Sequence, residues 1–254
     1  MERKRPQARQ ATKEELRRHL SSASADWARD ALDNPELGAS ELVLLLRNRD
    51  LLPETLERIA GDRRWTGHHQ VRRGVVGHGR APVTAARNLL PHLYWKDWLE
   101  LSIDPATNPL IRRQAEKMLL GKLSELGLGE RIALARRCSR ALLPALIAAP
   151  EPRVVEALLA NPRLTEVDLV TLCRQPETTG EALELVALHT VWGRRRNLRL
   201  ELLQRAEIPV ATLLRLAHAI DQSDLHPLLD NDKVPPIVRV AIERRLDGDR
   251  ESTG

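Results

Sequence analysis

The 254-residue sequence contains no phenylalanine, one tyrosine and five tryptophans. Pleated sheets favour aromatic and β-branched side chains, and their scarcity argues against a β-rich fold. The core must come from leucine, alanine, valine and isoleucine, of which Leu and Ala are strong helix formers. Cysteine is nearly absent too. Cys138 and Cys173 lie in apolar contexts without metal or redox spacing, so they read as small buried hydrophobes and not as a disulfide framework. No run of apolar residues approaches bilayer-spanning length, and no membrane association is expected. Residues 1–16 are charged without an apolar segment, unlike a secretory signal, which points to the cytoplasm. A glycine-rich phosphate loop and a nucleophile elbow are both missing. His68, His69 and His78 have no Cys or carboxylate at ligand spacing. No cofactor, no metal and no catalytic residue are therefore expected.

What is present is internal repetition. Asn34-Pro35 recurs as Asn161-Pro162, and the same offset joins Trp65 to Trp192, Pro82 to Pro209, Asp97 to Asp224 and Pro109 to Pro236. Sliding residues 31–119 onto 158–246 needs no gap and gives 23 identities in 89 positions, against roughly eight expected from composition. Self-similarity of this kind marks stacked repeat proteins, whose units bury one another's apolar faces.

Apolar residues recur at three- and four-residue spacing in short segments broken by Asn-Pro, Asp-Pro, Pro-Glu and Gly. The pattern predicts helices near 13–20, 24–32, 39–47, 53–60, 67–77, 82–91, 96–102, 109–121, 128–137, 140–148, 152–160, 165–174, 179–188, 194–205, 209–218, 222–229 and 235–246. Pro53, Pro82, Pro109, Pro209 and Pro236 fit helix starts, where a missing N–H costs nothing. Asp97 and Asp224 read as helix caps. Leu42, Leu45, Leu56 and Leu89, with Leu169, Leu172, Leu183 and Leu216 at matching positions, are the expected core. The fold class is all-α: one α-solenoid of helical hairpins over 12–247, in homologous halves 24–123 and 124–247. It is flanked by a disordered basic segment, 1–11, and a loose tail, 248–254.

Two stretches resemble known repeat families. Asp104 to Ala115 and Pro235 to Ala241 resemble the Pro-x-Val-Arg-x-x-Ala helix of HEAT-like repeats, and Asn161 to Leu172 resembles the unit of bacterial variant leucine-rich repeats. The resemblance spans about 24–246 and implies stacked helices that present a surface to a partner.

The net charge is +5, from 40 basic and 35 acidic residues. Nitrogen-bearing side chains follow each repeated tryptophan: His68, His69, Arg72 and His78 after Trp65, and Arg195, Arg196, Arg199 and Arg205 after Trp192. Near helix starts such groups suit anions, and with the indoles they suit phosphate contact and base stacking. The alternative is structural, with Arg72 and Arg199 bridging to Glu54, Glu57, Glu181 or Glu184 and the tryptophans packed between hairpins. Tyr94, Trp95 and Trp98 form the one aromatic cluster, fit either for a partner pocket or for burial. Beside Asp97 they are also similar to the Trp and Asp of HEAT-like alkylpurine DNA glycosylases, which implies base excision as a minor alternative. The leading expectation is a non-catalytic scaffold or adaptor that binds another protein, with nucleic-acid binding as the alternative.

Overall fold

The computed structural model describes residues 7–251 and is all-α. Among these residues there are eighteen α-helices and no strand, and helix makes up 69%. The chain divides into two compact units, residues 1–122 and 123–254. The first holds α1 (Lys13–His19), α2 (Ala25–Ala31), α3 (Ala39–Leu45), α4 (Pro53–Gly61), α5 (Arg63–Thr66), α6 (His69–Gly77), α7 (Val83–Leu89), α8 (Trp95–Ile103) and α9 (Pro109–Lys122). The second holds α10 (Leu128–Ala135), α11 (Leu143–Ile147), α12 (Pro152–Leu159), α13 (Glu166–Arg174), α14 (Gly180–Leu188), α15 (Arg196–Leu202), α16 (Val210–His218), α17 (Gln222–Leu229) and α18 (Pro236–Glu251).

Every expected helix has a counterpart. The single turn α5 was not expected, because four residues carry no periodicity; Asp62 starts it by accepting from the Arg64 amide. Ala8–Gln10 form a 3-10 turn with Ala8 and Ala11 buried, inside the stretch expected to be disordered. Residues 248–251, expected to be tail, continue α18. The remaining terminal residues, 1–6 and 252–254, lie outside the described residues.

One connector recurs before the helices. At Asn34 the side chain accepts from the amide two residues on, and the carbonyl accepts from the amide three residues on. Asp104, Asn161 and Asn231 make the same pair of bonds. His78 makes it with its ring Nδ1. The residue closing each turn is buried: Leu37, Ala81, Thr107, Leu164 and Val234. It stands just ahead of the helix cap, where an apolar side chain packs on the helix's fourth residue. Leu42 in α3 and Leu169 in α13 hold that fourth position and are buried. Pro53, Pro109 and Pro236 open their helices as expected, whereas Pro82 and Pro209 are the cap residues one position earlier.

Some helices pack on their immediate neighbour, as α8 does on α9, α6 on α7 and α17 on α18, and many contact the next but one once the single turn α5 is set aside. In the second unit α10 packs on α12, α12 on α14, α14 on α16 and α16 on α18, while α11 packs on α13 and α13 on α15. In the first unit α1 packs on α3, α3 on α6, α4 on α7 and α7 on α9. Carried over by the offset of the self-match, these four contacts correspond to α11 on α13, α13 on α15, α14 on α16 and α16 on α18. All eight leucines expected in the core are buried. No helix among the described residues is long and apolar enough to cross a membrane.

Candidate functional site

His68, His69 and Arg72 stand at the start of α6 and His78 follows its end; Arg195, Arg196 and Arg199 stand at the start of α15 and Arg205 follows its end. Arg72 does not reach Glu54 or Glu57. Its guanidinium donates to the carbonyls of Thr66 (2.6 Å) and Gly67 (3.1 Å), at the end of α5. Arg199 does the same in the second unit, with Nε on the Gly193 carbonyl at 2.9 Å and Nη1 on Ala219. Helix-end carbonyls lack intrahelical partners, and Arg is suited to meet them. The expected Glu partners are therefore replaced by backbone; Glu184 instead accepts from the Thr212 hydroxyl at 2.7 Å.

The neighbouring positions are tied to carboxylates. His69 Nε2 lies 3.1 Å from Asp97 Oδ2, and Arg73 Nε lies 3.2 Å from Asp97 Oδ1. In the second unit Arg196 grips Asp224 through two bonds, Nε to Oδ2 at 2.6 Å and Nη2 to Oδ1. This guanidinium holds the Asp224 carboxyl below the usual carboxylate range, and the Arg196 pKa is raised in turn. Both aspartates are the third residue of their helix: Asp97 caps α8 from there by accepting from the Tyr94 amide at 3.0 Å, whereas Asp224 makes no capping bond and is held by Arg196 instead. The two buried carboxylates clamp α8 to α6 and α17 to α15.

His78 and Arg205 complete the series. His78 Nε2 donates to the Asn48 carbonyl at 2.9 Å, and Arg205 Nη1 donates at 2.8 Å to the carbonyl of Gln175, which stands opposite Asn48 in the self-match. That leaves His68 and Arg195, which are each the cap residue of their helix, are exposed, and make no side-chain bond.

The aromatic residues do not form one pocket. Trp98 is buried and donates its indole N–H to the Leu90 carbonyl at 2.9 Å. Trp192 is half-buried, its N–H on the Leu159 carbonyl at 3.3 Å. Trp65 is also half-buried, with Arg64 5.2 Å above its ring, and Trp95 lies beneath Lys96 at 5.7 Å. Tyr94 is 66% exposed and stacks on His69, ring centroids 4.5 Å apart. The structure thus brings His69, Arg73, Tyr94 and Asp97 together and leaves the other aromatic residues apart from them.

Sequence reasoning missed the polar staples at the connectors. Asn34 is buried and donates to the carbonyls of Ala8 and Ala11, both at 2.8 Å. Asn161, which stands opposite it in the self-match, donates to those of Ala135 (2.7 Å) and Cys138 (3.4 Å). Their identity in the self-match was the available signal. Cys138 and Cys173 are buried, and burial pushes both thiols up to about 12.

The other notable surface is a seam between α13 and α15. Val167, Val170 and Leu200 floor a hollow of about 460 Å³. Asn197 bonds Glu166 across one end at 2.9 Å, and Arg174 pairs with Glu201 across the other. A second hollow of about 660 Å³ shares Arg174 and Glu201 and extends to Lys233. No protein-family model, curated protein or solved structure matches this chain.

Proposed function

We propose that the chain is a non-catalytic α-solenoid of two homologous halves whose surface holds another protein. The observation that carries this reading is what the side chains after the two repeated tryptophans bond. His69, Arg72, His78, Arg196, Arg199 and Arg205 bind carbonyls or carboxylates of neighbouring segments. Groups so engaged hold one helical hairpin on the next, which is what a stacked-repeat scaffold requires of them. Asp97, the carboxylate that base excision would need, is buried under His69 and Arg73.

The surface left over suits a protein. Val167, Val210, Ile237 and Val240 in the second unit are exposed apolar side chains on regular helices. Of the basic strip on which the nucleic-acid alternative rests, only His68 and Arg195 are exposed without a side-chain bond among the described residues.

Affinity capture from native lysate, with and without nuclease and at two salt concentrations, tests the reading. A protein partner retained after nuclease treatment and at the higher salt is expected. Capture that vanishes with nuclease and falls steeply with salt would overturn it, since each phosphate contact contributes about one unit of salt slope on duplex DNA.

A further inference from the structure

We infer that the seam between α13 and α15 is a docking groove for a short amphipathic segment of a partner protein. Its occupant carries a basic residue at the Glu166 end, two apolar residues over Val167, Val170 and Leu200, and an acidic residue at the Lys233 end. This rests on the protein-binding reading and assigns that binding to one place.

Exposure is the first argument. Val167 lies in the first turns of α13, yet 71% of its surface is open to solvent. A β-branched apolar side chain beside Val170 and Leu200, with polar groups at both ends, has the composition of a binding groove and not of a solvated helix face.

The first unit supplies the second argument. The residues at matching positions there are Ser40 for Val167, Leu46 for Cys173, Arg73 for Leu200 and Gly74 for Glu201. Between α3 and α6 the gap is closed. A Cβ placed on Gly74 would sit 2.8 Å from Leu46 Cδ1 and 3.2 Å from Leu46 Cβ, so Leu46 fills the space. Arg73 turns away to Asp97 and Glu100. In the second unit the smaller Cys173 stands where Leu46 does and lines the second hollow, while Glu201 reaches out to Arg174 beside the apolar floor of the first. The matching seam of the first unit lacks this floor, since Ser40 and Arg73 stand where Val167 and Leu200 do.

Charge fixes the occupant's direction. Glu166 accepts the Asn197 amide and has no cation in ion-pair range, while Lys233 has no carboxylate partner. Between them Arg174–Glu201 and Arg205–Glu207 neutralise one another. One uncompensated charge of each sign is left at opposite ends. From Glu166 to Arg174 the groove runs about 12 Å along the helix, room for two turns of a docked helix with anchors three or four residues apart. A polyanion gains no net attraction here, because Arg174, Arg205 and Lys233 are balanced by Glu166, Glu201 and Glu207.

The test is selection of a displayed random-peptide library on the purified full chain, followed by fluorescence anisotropy with the selected peptides. The expected consensus is basic, apolar, apolar, acidic. Val167→Asp, at an exposed site where the helical circular dichroism will stay unchanged, is expected to weaken binding at least tenfold. Glu166→Lys is expected to weaken it likewise, and to recover when the peptide's basic residue is made acidic. Peptides without this polarity, or bound equally by Val167→Asp, overturn the proposal. So does self-association of the chain that Val167→Asp abolishes, which would give the groove to a second copy. Val167→Asp that still captures the nuclease-resistant partner from lysate would remove the groove assignment and leave the scaffold reading standing; failure to capture any protein would remove the scaffold reading itself.

Discussion

Thr107→Val should make the protein more stable. Thr107 closes the connector ahead of α9, is 1% exposed, and its hydroxyl meets no hydrogen-bond partner. At the same place in two other connectors the problem does not arise: Thr178 donates its hydroxyl to the Leu172 carbonyl at 2.7 Å, and Val234, which stands opposite Thr107 in the self-match, has no hydroxyl. A buried polar group without a partner costs about 1–3 kcal/mol. Valine has the shape of threonine, so the exchange opens no cavity and forces no overlap. The expected gain is about 1 kcal/mol, read as a melting temperature higher by roughly 2–4 °C for a chain of this size. The reverse change, Val234→Thr, puts a hydroxyl into a fully buried site and should cost about 1–3 kcal/mol. Differential scanning calorimetry or urea titration of both variants measures the pair. A Thr107→Val protein destabilised by about 1 kcal/mol or more would refute the reasoning, because it would mean that the hydroxyl has a partner worth keeping.

Three further outcomes are expected. Asn161→Ala should lower stability by about 1–3 kcal/mol, since it strips the carbonyls of Ala135 and Cys138 of their buried donor; urea unfolding unchanged from the parent would disprove the staple. Asp224 is held below its ordinary pKa by Arg196, so its contribution is present above about pH 4 and is lost as the pH falls through the lowered folded value. Asp224→Asn should therefore flatten the acid limb of stability against pH, and an unaltered limb would count against the pairing. Cys138 and Cys173, with thiols near 12, should resist a thiol reagent at pH 8 until the chain is unfolded; fast labelling of the folded protein would contradict their burial.

The helices were legible because apolar spacing and Asn, Pro and Gly punctuation are local signals. So was the burial of Leu42 and Leu169, which stand opposite one another in the self-match. The partners of Arg72 and Arg199 were not. A sequence displays the carboxylates of Glu54 and Glu181, but the free carbonyls of Thr66 and Gly193 exist only once the preceding turn has ended. Asp97 and Asp224 were placed at helix starts correctly, yet their cations come from α6 and α15, each two helices earlier in the chain. The α13–α15 groove was invisible for a further reason. It depends on how closely two helices approach, and the exchange of Gly74 for Glu201 conveys that only after the approach at Leu46 has been measured.

The connector staples also bear on how the chain reaches its fold. Asn34 bonds carbonyls 23 and 26 residues behind it, Asn161 does the same, and Arg205 reaches back 27 to 32 residues. Each of these groups finds its partner in segments already synthesised when it leaves the ribosome, so no helix they secure has to wait for a distant stretch. Low sequence separation between contacts favours rapid folding. Such a protein should acquire structure progressively during translation, with nascent chains truncated after Lys122 already resisting protease through their first nine helices.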